Sequence, residues 1–123
     1  MIADGAVVAG DFNHNVRWDR GGPRDLRPSL DRLEAHGLRS VYHDAKGEAY
    51  GEEREATIYW RDRRADGPRY HIDYLFEPAA WRGARRAFSA GSYADWIGSG
   101  LSDHVPLIAD WDEEALAPVA AAA

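Results

Sequence analysis

Three short motifs contain the residues in this sequence that are best suited to chemistry. The first is Gly-Asp-Phe-Asn at residues 10–13, where a carboxylate and, two residues later, an amide follow an apolar run. Asp11 can accept a proton from a bound water, and the Asn13 amide can donate a hydrogen bond to charge that develops on a substrate oxygen. Taken alone, this motif is more typical of a turn with side-chain-to-backbone hydrogen bonds.

The second and third motifs pair a carboxylate with an imidazole. Residues 71–74 read His-Ile-Asp-Tyr within an alternating stretch, and residues 102–104 read Ser-Asp-His just before an apolar strand. A histidine at a strand entrance needs a neighbour that sets its tautomer, and in hydrolytic sites this neighbour is usually a carboxylate. We therefore predict a contact between Asp73 and His104, with Asp103 free to bind a divalent cation through oxygen. Taken alone, Ser-Asp-His is equally typical of a helix cap or a turn.

Hydrophobic patterns predict the elements that must position these motifs. The apolar run at residues 6–9 predicts a strand buried on both faces, and residues 13–28 predict a long surface loop. The other predicted strands are 38–42, 56–60, 69–76, 84–89 and 105–111. The predicted helical segments are 29–36, 78–83 and 93–97. The polar residues 43–55 show no periodicity and predict a second loop.

Composition restricts the class of protein and the kind of metal site. The 123 residues suffice for one domain and include no cysteine, which excludes disulfides and thiolate metal sites. A metal must then be bound by Asp, Glu, Asn or His, which favours hard cations such as Mg²⁺. The apolar run near the N-terminus is too short to span a membrane and has no basic signal region before it, so we expect a cytoplasmic protein with no membrane partner.

The charge distribution leaves two interpretations open. The chain carries a formal charge of −6, but residues 54–86 contain eight Arg against five Asp or Glu, a local net charge of +3 that leaves −9 for the remainder. A basic face suits an anionic substrate, whereas an arginine-rich solvated edge is the commoner arrangement. The net negative charge argues against binding of nucleic acid by bulk attraction alone.

Taken together and in order, the three motifs resemble the second half of the endonuclease/exonuclease/phosphatase family over residues 6–111. This family includes abasic-site endonucleases, secreted deoxyribonucleases, sphingomyelinases and inositol-phosphate phosphatases. The resemblance implies that Asp11 orients or deprotonates the attacking water and that Asn13 binds the phosphate. It also implies that His104, oriented by Asp73, stabilises the phosphoryl oxygens, and that Asp103 contributes to a site for Mg²⁺ or Mn²⁺.

Three further residues lie where substrate contacts are expected from this resemblance. His71 occupies a position that is often basic in the family, and His14 and Asn15 directly follow the first motif. We predict that all three contact substrate, and the ordinary polarity of a loop explains His14 and Asn15 equally well.

The fold that the resemblance implies is half of a four-layer α/β sandwich. We expect an α+β domain in residues 1–112, with one mostly antiparallel mixed sheet and one or two helices, followed by a frayed tail in residues 113–123. The family's first half, which supplies an Asn and the Glu that is its main metal ligand, is expected to be missing before residue 2. Half a sandwich leaves the inner face of its sheet exposed, so we expect self-association or pairing with a separately encoded first half.

The expected function is Mg²⁺-dependent hydrolysis of a phosphoester, of the nuclease or phosphatase type, by attack of water on phosphorus. The alternative is a catalytically incompetent fragment or a phosphate-binding interaction module, because the main metal ligand is expected to be missing. A structural domain without a site is a third interpretation. The partner is a phosphoester substrate, and the residues do not decide between nucleic acid and a lipid or sugar phosphate.

Overall fold

The computed structural model of the chain describes residues 5–116, and these residues form a small α+β fold. The strands are β1 Val8–Asp11, β2 Leu38–Ser40, β3 Ile58–Tyr59, β4 Arg69–Tyr70, β5 Asp73–Pro78, β6 Arg85–Ala90 and β7 Leu107–Trp111. The α-helices are α1 Arg27–Ala35 and α2 Val41–Lys46. Short 3-10 turns cover Val16–Trp18, Ala79–Ala84 and Glu113–Ala115, and a single π turn covers Ala94–Gly98.

The strands form three small antiparallel sheets, in the orders β1-β5-β2, β3-β4 and β6-β7. The predicted α+β class is therefore confirmed, but the strands of the described part divide into three sheets rather than one mixed sheet. One cause is a break in the strand predicted at residues 69–76. The backbone N–H groups of Ile72 and Asp73 donate to the Thr57 hydroxyl at 2.9 and 3.1 Å, which ends β4 before β5 begins.

Helix α1 covers one face of the central sheet. Its apolar spacing buries Leu26 and Leu30 against Tyr74 and Phe76 of β5, as the periodicity at residues 26–33 indicates. Asp19 stabilises the start of the helix, since its carboxylate accepts the free N–H groups of Leu26 and Arg27 at 2.7 and 2.9 Å. The helix lies within two residues of its predicted bounds.

Helix α2 was not predicted. The sequence favours a strand over residues 38–42, but the strand ends at Ser40 and the chain turns into a helix that Gly47 terminates with a φ of +65°. Val41, Tyr42 and His43 are consecutive and buried. A helix of this length offers too few turns to show a period in the sequence, and three adjacent buried residues look the same in a strand.

A buried carboxylate joins the central sheet to the β6-β7 hairpin. Glu77 of β5 is 1% exposed and accepts hydrogen bonds from Arg85 Nε at 3.0 Å and from Trp111 Nε1 at 2.6 Å. Arg85 also contacts Asp44 of α2 at 2.5 Å. The charge of Glu77 is thus paired and hydrogen-bonded, which is the condition for a carboxylate to be buried at all.

Strand β1 differs from its prediction, because it lies at the edge of its sheet and its residues Ala9 to Asp11 are exposed. Val7, just before it, is 41% exposed, so the run is not buried on both faces. In the tail predicted at residues 113–123, Glu113–Ala115 form a 3-10 turn, and the Glu114 N–H donates to the Asp112 side chain. Residues 117–123 lie outside the described part. Within residues 5–116, no helix has the length and apolarity needed to cross a membrane.

Candidate catalytic site

Two carboxylates face each other across the first pair of strands. Asp11 is the last residue of β1 and Asp73 is the first residue of β5, and the register places them directly opposite one another. Directly opposed residues of antiparallel strands project to the same face, so both side chains lie on one side of the sheet. The Asp11 side chain is 48% exposed and that of Asp73 is 18% exposed. Like charges at such positions repel unless a cation or a hydrogen-bond donor lies between them.

His104 supplies that group. Its Nδ1 lies 2.8 Å from Asp73 Oδ2, and its Nε2 lies 3.9 Å from Asp11 Oδ2. Asp73 and His104 therefore form the contact that the sequence predicts, with Nδ1–H donating to the carboxylate. This tautomer leaves Nε2 directed toward Asp11, where it accepts a proton when neutral and donates one when charged.

The segment that carries His104 is attached to β3 by backbone hydrogen bonds. Tyr59 N donates to Asp103 O at 2.8 Å, and Val105 N donates to Thr57 O at 2.9 Å. Ile58 and His104 form an isolated antiparallel bridge between them. The His104 N–H also donates to Ser102 Oγ at 3.0 Å, so the third motif contains the turn that it suggests in isolation, and its imidazole is fixed relative to β3.

Thr57 connects the segments of Asp73 and His104, although its type indicates only a preference for a strand. It is fully buried, its hydroxyl accepts the N–H groups of Ile72 and Asp73, and its carbonyl accepts Val105 N. One residue thus positions the backbone at both members of the carboxylate–imidazole pair. A threonine in the middle of a predicted strand was the available signal.

The turn after β1 places Asn13 next to a small aromatic pocket. Asn13 has a φ of +51°, a conformation that asparagine adopts more readily than most residues, and its N–H donates to Asp11 Oδ1 at 2.7 Å. The turn that the isolated motif suggests is therefore present. Asn13 also lines a pocket of about 160 Å³ together with Trp18, Trp60 and Tyr70. Gly10 has a φ of +150°, which explains why the motif begins with glycine.

Asp103 lies outside the cluster of possible metal ligands. That cluster consists of Asp11, Asp73 and His104, whose ligand atoms all lie within 4.8 Å of one another. The Asp103 carbonyl is bonded to β3, and its carboxylate forms no hydrogen bond or ion pair with another described residue. The available donors fit a hard cation such as Mg²⁺, which takes one or two carboxylates and keeps several waters; Mn²⁺ also accepts oxygen ligands.

His14 has partners inside its own loop, whereas the Asn15 amide is bonded to distant segments. The His14 Nδ1 accepts Asn15 N at 2.7 Å, and its Nε2 lies 2.8 Å from Arg24 O. Asn15 is 4% exposed, and its amide donates to Glu53 Oε1 at 3.0 Å and to the carbonyl of His71 at 2.9 Å. The Asn15 amide is therefore buried and already hydrogen-bonded, and the contacts of His14 and Asn15 with substrate stay predictions.

The side chain of His71 is buried as well. It is 5% exposed, its Nδ1 donates to Glu55 O at 2.9 Å, and its Nε2 is buried without a partner among the described residues. Burial lowers the pKa of His71, so the ring is neutral at pH 7. A buried neutral ring offers substrate no charge, and the contact of His71 with substrate stays a prediction.

A buried polar network behind the site was not predicted, because residues 43–55 show no pattern. His43 Nε2 lies 2.7 Å from Glu53 Oε2, and Ser40 Oγ lies 2.6 Å from His43 Nδ1. Burial alone would raise the pKa of Glu53, but hydrogen bonds from His43, Asn15 and the Gly51 N–H outweigh it and lower this pKa to about 2. The network anchors the loop that follows β1 and carries Asn13.

No family model, curated protein or solved structure matches the chain. The resemblance to the endonuclease/exonuclease/phosphatase family therefore stays a prediction from the three motifs, and the geometry of the site has to support any assignment of function.

Proposed function

We propose that this chain carries the water-activating and phosphate-binding part of a Mg²⁺-dependent phosphoester hydrolase of the nuclease or phosphatase type. The observation that supports it is the convergence of Asp11, Asp73 and His104 from three separate segments, with ligand atoms within 4.8 Å. A carboxylate, an imidazole and a second carboxylate that orients the imidazole form an arrangement suited to moving a proton and stabilising an anion.

Each side chain has a role that its surroundings allow. Asp11 is half exposed, so its carboxylate orients a water and accepts its proton. His104, held by Asp73 through Nδ1, donates from Nε2 to the phosphoryl oxygens when protonated, and the exposed Asn13 amide donates to the same group. A Mg²⁺ or Mn²⁺ bound at the cluster of Asp11, Asp73 and His104 would supply positive charge that stabilises the phosphoryl oxygens.

A second candidate is a phosphate-binding interaction module or catalytically incompetent fragment. The observation that favours it is the small number of carboxylates at the site, since the three-residue cluster includes two and the Asp73 carboxylate is already bonded to His104. A site with so few oxygen ligands binds Mg²⁺ weakly. Self-association, or pairing with a first half that covers the exposed strand β1, would complete such a site and belongs to the same proposal. We also propose a cytoplasmic location.

Hydrolysis of bis-p-nitrophenyl phosphate in the presence of Mg²⁺ tests the proposal. The substitution Asp11→Asn keeps the shape of the side chain and removes the base, so we expect the rate to fall about 10² to 10⁴-fold. Asp31→Asn, in the exposed part of α1, is the matched control and should leave the rate unchanged. Equal rates for wild type and Asp11→Asn would remove the assigned role, and no hydrolysis by the wild-type chain of this ester or of nucleic acid would favour the interaction module.

A further inference from the structure

A second and larger cavity adjoins the candidate catalytic site. This arginine cleft, about 620 Å³ in volume, is lined by Arg17, Arg54 and Arg69 and by the aromatic side chains of Trp18 and Tyr70. The same two aromatic residues line the small pocket at Asn13. The two cavities therefore share one aromatic wall, and a ligand can extend from the arginine cleft toward the candidate catalytic site.

The arginine cleft has three arginines against two acidic residues, so its lining keeps a net positive charge. All three arginines are exposed, and none forms an ion pair within residues 5–116. The two acidic residues of the lining are occupied elsewhere, since Glu53 accepts from His43 and Asn15, and Glu55 pairs with Lys46 at 3.6 Å. Free guanidinium groups along a cleft favour an anionic ligand, and their planar donors match phosphate oxygens.

Part of this surface is fixed before any ligand arrives. Arg69 donates to the backbone carbonyls of Ala65 and Gly67 at 3.1 and 3.4 Å, which orients its side chain. The Trp18 ring stacks with His14, with centroids 5.9 Å apart, and meets the Tyr70 ring edge-on at 5.3 Å. A cleft with oriented donors and fixed rings loses less entropy on binding than a mobile one.

The aromatic wall indicates what kind of anion fits. Trp18 is 42% exposed and Tyr70 is 40% exposed, so both present apolar ring surface beside the arginines. A nucleotide unit combines a phosphate with a flat base, and stacking of bases on aromatic side chains is the usual way to bind single strands. A compact sugar polyphosphate has no flat ring to place there, and a duplex keeps its base faces inside the stack.

We propose that the arginine cleft binds a single-stranded oligonucleotide, with its phosphates against Arg17, Arg54 and Arg69 and a base stacked on Trp18 or Tyr70. The inference rests on the proposed hydrolase function for one point, namely that the strand leads into the site of Asp11 and His104. It names the substrate class of that site and assigns a binding surface made mostly of residues outside the three motifs, although His71 of the second motif also lines it.

Binding of a fluorescently labelled oligothymidine of about twelve nucleotides, measured by anisotropy over a range of salt concentrations, tests the proposal. EDTA in the buffer prevents hydrolysis. The triple variant Arg17→Ala/Arg54→Ala/Arg69→Ala should bind about tenfold or more weakly, and the slope of log affinity against log salt should fall by about 2, since each phosphate contact on a single strand contributes about 0.7. Trp18→Leu should weaken binding by roughly tenfold with the slope unchanged.

The matched control removes three charges elsewhere, as Arg32→Ala/Arg82→Ala/Arg86→Ala, and should keep most of the slope. Thermal melts of each variant show whether it is folded. Equal affinity and slope for the cleft and control variants would overturn the proposal. A wild-type chain that binds inositol hexakisphosphate but not the oligonucleotide would overturn it as well. Hydrolysis of bis-p-nitrophenyl phosphate separates the two proposals. A chain that cleaves this ester without binding the oligonucleotide would refute only the role of the arginine cleft, and a chain that binds without cleaving would refute only the catalytic role.

Discussion

The buried carboxylate of Glu53 provides a quantitative test of the network behind the site. Its side chain is 2% exposed, and its oxygens accept hydrogen bonds from His43, Asn15 and the backbone N–H of Gly51. The substitution Glu53→Gln keeps the size of the side chain and removes its charge. The change therefore probes the charge-assisted hydrogen bonds and leaves the packing of the network nearly unaltered.

The size of the effect follows from the two pKa values of Glu53. The pKa falls from its ordinary value of 4.5 to about 2 in the folded chain, so the ionised carboxylate favours folding by about 3 kcal/mol at pH 7. Because the folded pKa is the lower one, this contribution is complete above pH 4.5 and is lost as the pH falls through 2. At pH 3 about 1 kcal/mol of it remains. A loss of this size is a large part of the 5–15 kcal/mol that stabilises an ordinary domain.

Urea unfolding of wild type and Glu53→Gln at pH 7 and at pH 3 measures both values. We expect the variant to be less stable by about 3 kcal/mol at pH 7, with the difference shrinking to about 1 kcal/mol at pH 3. Glu52→Gln is the matched control, since this substitution removes the same charge from an exposed side chain one residue away. A difference between wild type and Glu53→Gln that does not change with pH would refute the reasoning.

Two further substitutions test the residues that position the site and the hairpin. Thr57→Val removes the hydroxyl that accepts the Asp73 N–H, so we expect the free energy of unfolding in urea to fall by about 1–3 kcal/mol and phosphoester hydrolysis to slow. Thr57→Ser keeps the hydroxyl and should restore the rate. Equal stability of Thr57→Val and wild type would contradict this role. Arg85→Met leaves the buried Glu77 charge without its cation and should cost about 3–5 kcal/mol. The double variant with Glu77→Gln should recover much of that loss, and a double variant no more stable than Arg85→Met would show that the pair is not coupled.

Local sequence determined a substantial part of this protein. The spacing of apolar residues predicted helix α1, the 3-10 turn after Pro78 and strands β6 and β7 to within a few residues. Two motifs far apart in the chain predicted the contact between Asp73 and His104, which the structure contains. These features depend on patterns within a few residues or on a pairing of chemical types, and both are visible in a linear sequence.

The tertiary structure alone decided which polar residues are buried. Asn15 and His71 read as loop and strand residues near a motif, but distant segments cover both, and Asn15 is bonded to a residue 38 positions away. Thr57 and Glu77 showed no chemical signal, yet each connects segments that meet only in the folded chain. Burial and hydrogen-bond partners depend on contacts between residues far apart in sequence, so a side chain's type and neighbours show what it can do, and only the fold shows whether it is free to do it.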